Sequence, residues 1–361
     1  MPPSDKKNNF GVLRLFFANL VICYHSYFLI DGDTHRDIFY RAFGTTALGG
    51  LGVAGFFLIS GFLVVKSYCT SKSVKGYFLK RFLRIWPGFA VAFLVCLFIV
   101  VPLGGGQLAG VNVLKNIYRF MTFQEPDADG VFHGLAQEQI NGSMWTISYE
   151  FRCYMLVILL GACGLLRDRR KFLALTLLFG LAAFLPRNFS LPYPGIFGAV
   201  SSDILFTGVF CAGGLFYLYR DVIKLRLRYA LLAFPLFIAL LFGEATTQIA
   251  LMTAGAYILF CIANYKGDNA MSRFTEKTDF SYGIYLYSYP VQQLILWHDR
   301  TINMYQLMGL SLVFAWILGA MSWFLVEKPA LSLKSRLRGK VEPTPDLRPT
   351  QALAPAKPSR G

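Results

Sequence analysis

A chain of 361 residues that is 55% hydrophobic and only 15% charged, with a mean hydropathy of +0.49, is too apolar for a soluble globular protein. Its net charge of +15 is scattered over short segments between apolar runs, whereas nucleic-acid binding would need that charge gathered on one soluble domain, so no nucleic acid is expected as a partner. The seven cysteines form no C-x-x-C pair and the four histidines lie far apart, so neither a disulfide framework nor a metal site is expected.

Apolar runs up to 23 residues long recur at roughly 11–30, 44–65, 85–103, 144–166, 172–186, 203–219, 229–242, 247–264, 280–298 and 305–326. A helix needs about 20 residues to cross the hydrocarbon, and backbone groups in lipid must pair within their own segment. The expected fold is therefore all-α, a polytopic transmembrane helical bundle of about ten spans. It forms one domain over residues 1–335, with a long outer loop at 104–142 and a disordered, proline-containing basic tail at 336–361.

The first run holds Arg14 and His25 and lacks a small-residue cleavage site, so it reads as a retained helix rather than a signal peptide. The two residues are eleven positions apart. That spacing is three helical turns to within about 20°, which puts both side chains on one face, roughly 16 Å apart along the axis. Ionisable groups inside a membrane are costly, and this pair marks a candidate site. On its own a lone histidine in an apolar helix is more often a hydrogen-bonded structural residue; the in-phase arginine argues for a base.

The second run contains Gly44, Gly49, Gly50, Gly52, Gly55 and Gly61, which serve either tight helix packing or a narrow slot for a thin substrate chain. The third opens on Lys80-Arg81-Phe-Leu-Arg84. Arg81 and Arg84 share a helical face and can grip a phosphate together, although the same residues would serve an ordinary positive-inside boundary. The loop 104–142 carries Glu125, Asp127, Asp129, His133 and Glu138. Asn141-Gly-Ser143 and Asn188-Phe-Ser190 match the glycosylation sequon, a pattern with a high chance rate. Glu150 lies about two turns into the fourth run, where an unpaired carboxylate would be expensive. It needs either a buried partner or a polar cavity, and Arg152 cannot face the same way.

Orientation follows from the basic residues. With the N-terminus in the cytoplasm, the cytoplasmic segments hold 27 Lys and Arg and the opposite loops hold 6. Both termini are expected in the cytoplasm, in a multi-pass protein of the inner (plasma) membrane whose basic loops meet anionic lipid headgroups.

Six segments together resemble the acyltransferase-3 family of integral-membrane acyltransferases. They are Leu13-Arg14 through His25-Ser26, Phe56-Phe-Leu-Ile-Ser60-Gly61-Phe62, Lys80-Arg81-Phe-Leu-Arg84-Ile-Trp-Pro87, Trp145-Thr-Ile-Ser-Tyr-Glu150, Ser281-Tyr-Gly-Ile-Tyr-Leu286 and Glu327-Lys328-Pro329. No esterase-like domain is expected after them. The resemblance implies transfer of an acyl group, most often acetyl, from cytoplasmic acyl-CoA as co-substrate to a hydroxyl of an extracytoplasmic glycan or lipid-linked sugar. It implies His25, Arg14 and Glu150 as catalytic residues, Lys80, Arg81 and Arg84 as the coenzyme A grip, and Trp145, Tyr282 and Tyr285 against substrate.

Attack of a hydroxyl on a thioester needs a base and a place for the oxyanion charge, and histidine suits the first task. No G-x-S-x-G elbow, H-E-x-x-H helix, Walker loop or His-x4-Asp box is present. The competing reading is a multi-span transporter or flippase of an anionic or acylated substrate. It would also bury Arg, His and Glu, but it more often shows paired repeats, and no internal repeat is visible.

Overall fold

The computed structural model describes residues 8–185, 200–265 and 270–337, and among them every regular element is helical. Each of the ten apolar runs becomes a helix. They are α1 (Phe10–Asp31), α3 (Leu48–Cys69), α4 (Val74–Leu103), α6 (Trp145–Ala162), α7 (Arg169–Ala182), α8 (Val200–Leu218), α9 (Leu227–Leu240), α10 (Glu244–Asn264), α12 (Ser281–His298) and α13 (Met304–Ser322). Helix α13 continues through a π-helical turn, Trp323–Glu327, into α14 (Lys328–Leu337).

Six of these are long and apolar enough to cross a membrane: α1, α3, α4, α8, α10 and the continuous helix Met304–Leu333. The other four fall short for two physical reasons. Helices α7 and α9 have 14 residues each, while α6 and α12 have 18 but carry Glu150, Arg152, Gln292 and Gln293. Three short amphipathic pieces had no counterpart in the hydropathy pattern: α2 (Ile38–Phe43), α5 (Val113–Met121, inside the loop 104–142) and α11 (Ala270–Lys277). The tail beyond 337 and the sequon at Asn188 lie outside the described residues.

Local chemistry sets the helix starts. Asp37 accepts from Phe39 and Tyr40, Ser73 from Gly76, and Asp168 from Arg170 and Lys171, while Asn303 and Gln306 form a capping box. Helix α1 packs against α3 on one side and against α12 and α13 on the other; α3 packs closely on α8. That last approach explains part of the glycine run. A Cβ on Gly61 would overlap the Phe210 carbonyl, and one on Gly213 the Leu58 carbonyl. The two backbones meet where neither helix has a side chain, and dispersion between closely packed helices is the main attraction available in lipid. Gly49 and Gly50 line a cavity, with Gly49 also close against the Tyr24 ring.

Candidate active site

Helix α1 runs past two adjoining cavities. Arg14 lines one, of about 100 Å³, and His25 lines the other, of about 450 Å³. Val53 of α3 and Tyr285 of α12 line both, so these two side chains stand between the cavities. The eleven-residue spacing thus puts a guanidinium in one chamber and an imidazole in the next.

The Arg14 chamber is walled by α1, α3, α4, α6 and α12. Arg14 pairs with Asp279, at 3.1 Å, in the turn just before α12. The same carboxylate oxygen takes Arg84 of α4 at 2.5 Å, and Arg84 also reaches Glu327 at 3.3 Å. Glu327 is 2% exposed and accepts in addition from the Ser322 hydroxyl. The π-helical turn that ends at Glu327 inserts an extra residue into the helix, a feature that recurs at functional sites. Burial alone would raise the Asp279 carboxyl, but the Arg14 and Arg84 guanidiniums beside it prevail and hold it at about 2.

Two predicted groups stand apart from that cluster. Arg81 lies over the Tyr154 ring at 5.8 Å, and its buried Nε has no hydrogen-bond partner among the described residues. Glu150 accepts from the Ser60 hydroxyl at 3.0 Å and the Tyr154 hydroxyl at 2.7 Å, so it serves the polar cavity. Arg152 pairs with Asp203 instead, at 2.8 Å. Tyr282 lines the same chamber, donates to the Ile85 carbonyl at 3.0 Å, and carries Arg84 over its ring. Lys80 does not reach the wall; its ammonium donates to Ser71 at 2.8 Å.

In the His25 chamber the imidazole packs edge-on to Tyr289, with ring centroids 5.0 Å apart. Its Nδ1 is buried without a hydrogen-bond partner among the described residues. Thr34, Thr46, Ser201, Thr247 and Gln248 supply hydroxyl and amide groups to the wall, and Trp145 and Tyr40 supply aromatic faces. Tyr285, at the junction, shares a hydrogen bond of 2.6 Å with Thr146. Asn19, between Arg14 and His25 in sequence, faces away: it accepts from the Trp316 indole at 3.1 Å.

The structure therefore brings Arg14, Arg81, Arg84, Glu150, Tyr282 and Tyr285 to one chamber and His25, Trp145 and Tyr285 to the other, and leaves Lys80 outside both. Sequence reasoning missed Asp279 as the partner of Arg14 and gave Glu327 no role. One signal was available: buried arginines in a membrane need carboxylates, and these two stand at span boundaries.

Residues 8–326 match the acyltransferase domain that defines the acyltransferase-3 family. An O-acetyl transferase of Shigella phage Sf6 is 30% identical over 358 residues, covering 91% of this chain and 98% of the relative. Nodulation protein 10 of Rhizobium leguminosarum bv. viciae is 28% identical over 372 residues, covering 92% and 96%. Acyltransferase MdmB of Streptomyces mycarofaciens is 32% identical over 114 residues, 30% of this chain and 28% of the relative. No solved structure matches the chain.

Proposed function

The chain belongs to the acyltransferase-3 family and is a membrane O-acyltransferase, and from that premise we propose that it moves an acyl group, acetyl first, from cytoplasmic acyl-CoA to a hydroxyl of an extracytoplasmic glycan or lipid-linked saccharide. The observation that carries the proposal is a pair of chambers with Val53 and Tyr285 as their shared wall, one rich in arginine and the other holding His25.

In this reading the protein lies in the inner membrane with ten spans and both termini in the cytoplasm, as the 27-to-6 division of basic residues supports. The Arg14 chamber then opens toward the cytoplasm. At about 100 Å³ it suits the thin end of an acyl-pantetheine arm and excludes the nucleotide. Arg81, whose Nε lacks a partner, is the cation for a coenzyme A phosphate, while Arg84 is committed to two carboxylates. Arg14 shares the Asp279 oxygen with Arg84, and its Nε also lacks a hydrogen-bond partner among the described residues, so it can add to the grip on the arm.

The thioester reaches the junction beside Tyr285, and the acceptor hydroxyl arrives through the His25 chamber. A wall of hydroxyls, an amide and aromatic faces is the chemistry that recognises a saccharide. His25 accepts the hydroxyl proton as the oxygen attacks the thioester carbon, then returns it to the departing thiolate. Membership of the family displaces the transporter reading.

The test is transfer of labelled acetyl from acetyl-CoA, by the purified protein in proteoliposomes, to the surface glycan fraction of a strain deleted for this gene. Mass spectrometry of glycans from producing and deletion strains should show acyl groups present in the first and missing in the second. Identical glycans, with no transfer from acetyl-CoA, would remove the proposal.

A further inference from the structure

Ester transfer requires a home for the charge that develops on the thioester carbonyl oxygen, and no residue discussed so far supplies it. Ser143 lines the His25 chamber, is 1% exposed, and its hydroxyl has no hydrogen-bond partner among the described residues. A buried hydroxyl normally finds a partner, and an orphan on a residue that lines a cavity points to a ligand atom that would complete it.

Its position is held from two sides. The Ser143 N–H donates to the Asn141 side chain at 3.2 Å, and the Asn141 amide donates to the Leu286 carbonyl of α12 at 2.8 Å. The preceding residue, Gly142, lies so close to the Tyr289 ring that a Cβ there would overlap it, and that ring is the one against His25. On the other side the Ser143 carbonyl stands 3.4 Å from the Thr146 hydroxyl, and Thr146 shares its short bond with Tyr285. Ser143 thus stands between the ring that supports His25 and a residue that lines both chambers.

Resting on the acyl-transfer reading above, we infer that the hydroxyls of Ser143 and Tyr285 form the oxyanion site of this enzyme, donating to the thioester carbonyl oxygen at the junction. Each hydroxyl has one proton to give. Thr146 has one proton, and in this arrangement it goes to the Tyr285 oxygen at 2.6 Å rather than to the Ser143 carbonyl at 3.4 Å, which frees the Tyr285 proton for substrate; the Ser143 proton has no other acceptor among the described residues. As the acceptor oxygen bonds to the carbonyl carbon, its proton passes to His25 and the carbonyl π pair moves onto the oxygen that faces these two donors. Collapse of the tetrahedral adduct breaks the carbon–sulfur bond. The coenzyme A thiolate leaves with the electron pair and takes the proton back from His25, so an ester and a thiol are the products.

Removing one donor of this kind costs on the order of 10²–10³ in kcat. The measurement is kcat and KM for acetyl-CoA, with the glycan fraction of the deletion strain as acceptor, for wild type, Ser143→Ala, Ser143→Thr and Tyr285→Phe. Ser143→Ala deletes no hydrogen bond of the folded protein, so its expression and melting temperature should match wild type. Its kcat should drop by that factor with KM for acetyl-CoA within about threefold, Tyr285→Phe should behave alike, and Ser143→Thr should recover part of the loss. An active wild type with an equally active Ser143→Ala overturns this assignment and leaves the functional reading standing. A wild type that transfers nothing from acetyl-CoA overturns both. An acetyl group trapped on Ser143 and seen by mass spectrometry also overturns it, since the hydroxyl would then be a nucleophile.

Discussion

The Asp279 carboxylate stands 3.1 Å from the Arg14 guanidinium and ties the first helix to the turn that opens α12. Because the same oxygen also holds Arg84, at 2.5 Å, three separate parts of the chain converge on one charge. Two arginines, Arg14 and Arg84, and two carboxylates, Asp279 and Glu327, offset each other in a place where isolated charges would be costly.

Asp279→Asn should therefore destabilise the protein and misplace Arg14. Breaking a buried pair costs about 3–5 kcal/mol, which should appear as a lower melting temperature in detergent together with reduced transfer. The pH dependence has a definite sign. The carboxyl is held at about 2 when folded, against about 3.9 when unfolded, so its stabilisation is complete above roughly pH 4 and fades as pH falls through 2. The variant should lose that acid-side dependence; an unchanged melting temperature would show that the pair contributes nothing.

Arg81 and Arg84 should separate on mutation although they are three residues apart on one helix. Arg81→Ala should raise KM for acyl-CoA and weaken the salt dependence of binding, with little change in melting temperature. Arg84→Ala strips the partner from Asp279 and Glu327 and should lower the melting temperature first. Equal effects on stability from both substitutions would contradict this division.

His25→Gln keeps size and hydrogen bonding but cannot take the proton, so it should insert normally and lose transfer by about 10²–10⁴. Arg14→Lys keeps the charge and loses the planar fork, so it should retain less activity than charge alone suggests. Exchanging His25 and Tyr24 turns the imidazole by about 100° to another part of the same chamber's wall, away from Tyr289, and should also abolish activity. Full acylation by well-expressed His25→Gln would remove the histidine from the mechanism.

Single cysteines in 31–43 and 104–142, in a background stripped of native cysteines, should react in intact cells with an impermeant thiol reagent. Cysteines in 167–171 or 220–228 should not. External labelling of either of the latter would reverse the orientation of the whole bundle, and the Arg14 chamber with it.

The placement of the long helices was legible, unlike that of the three short ones, because lipid demands apolar runs of a set length, and each of the ten runs is a helix. Length and hydropathy single out six of them, since the two 14-residue helices and the two with buried polar side chains depend on neighbours rather than on their own apolarity. The face shared by Arg14 and His25 was legible too, because helical phase is local arithmetic. Asp279, Glu327 and Ser143 could not be placed that way. Their roles depend on which helices pack together: α1 against α12, α4 against the π-helical turn at Glu327, and the loop before α6 against Tyr289. The order of residues along the chain dictates which side chains share a helix face. Only tertiary packing decides which faces enclose a cavity and which arginine nitrogens and hydroxyls are buried without a partner, because those are properties of distance between segments and not of sequence within them.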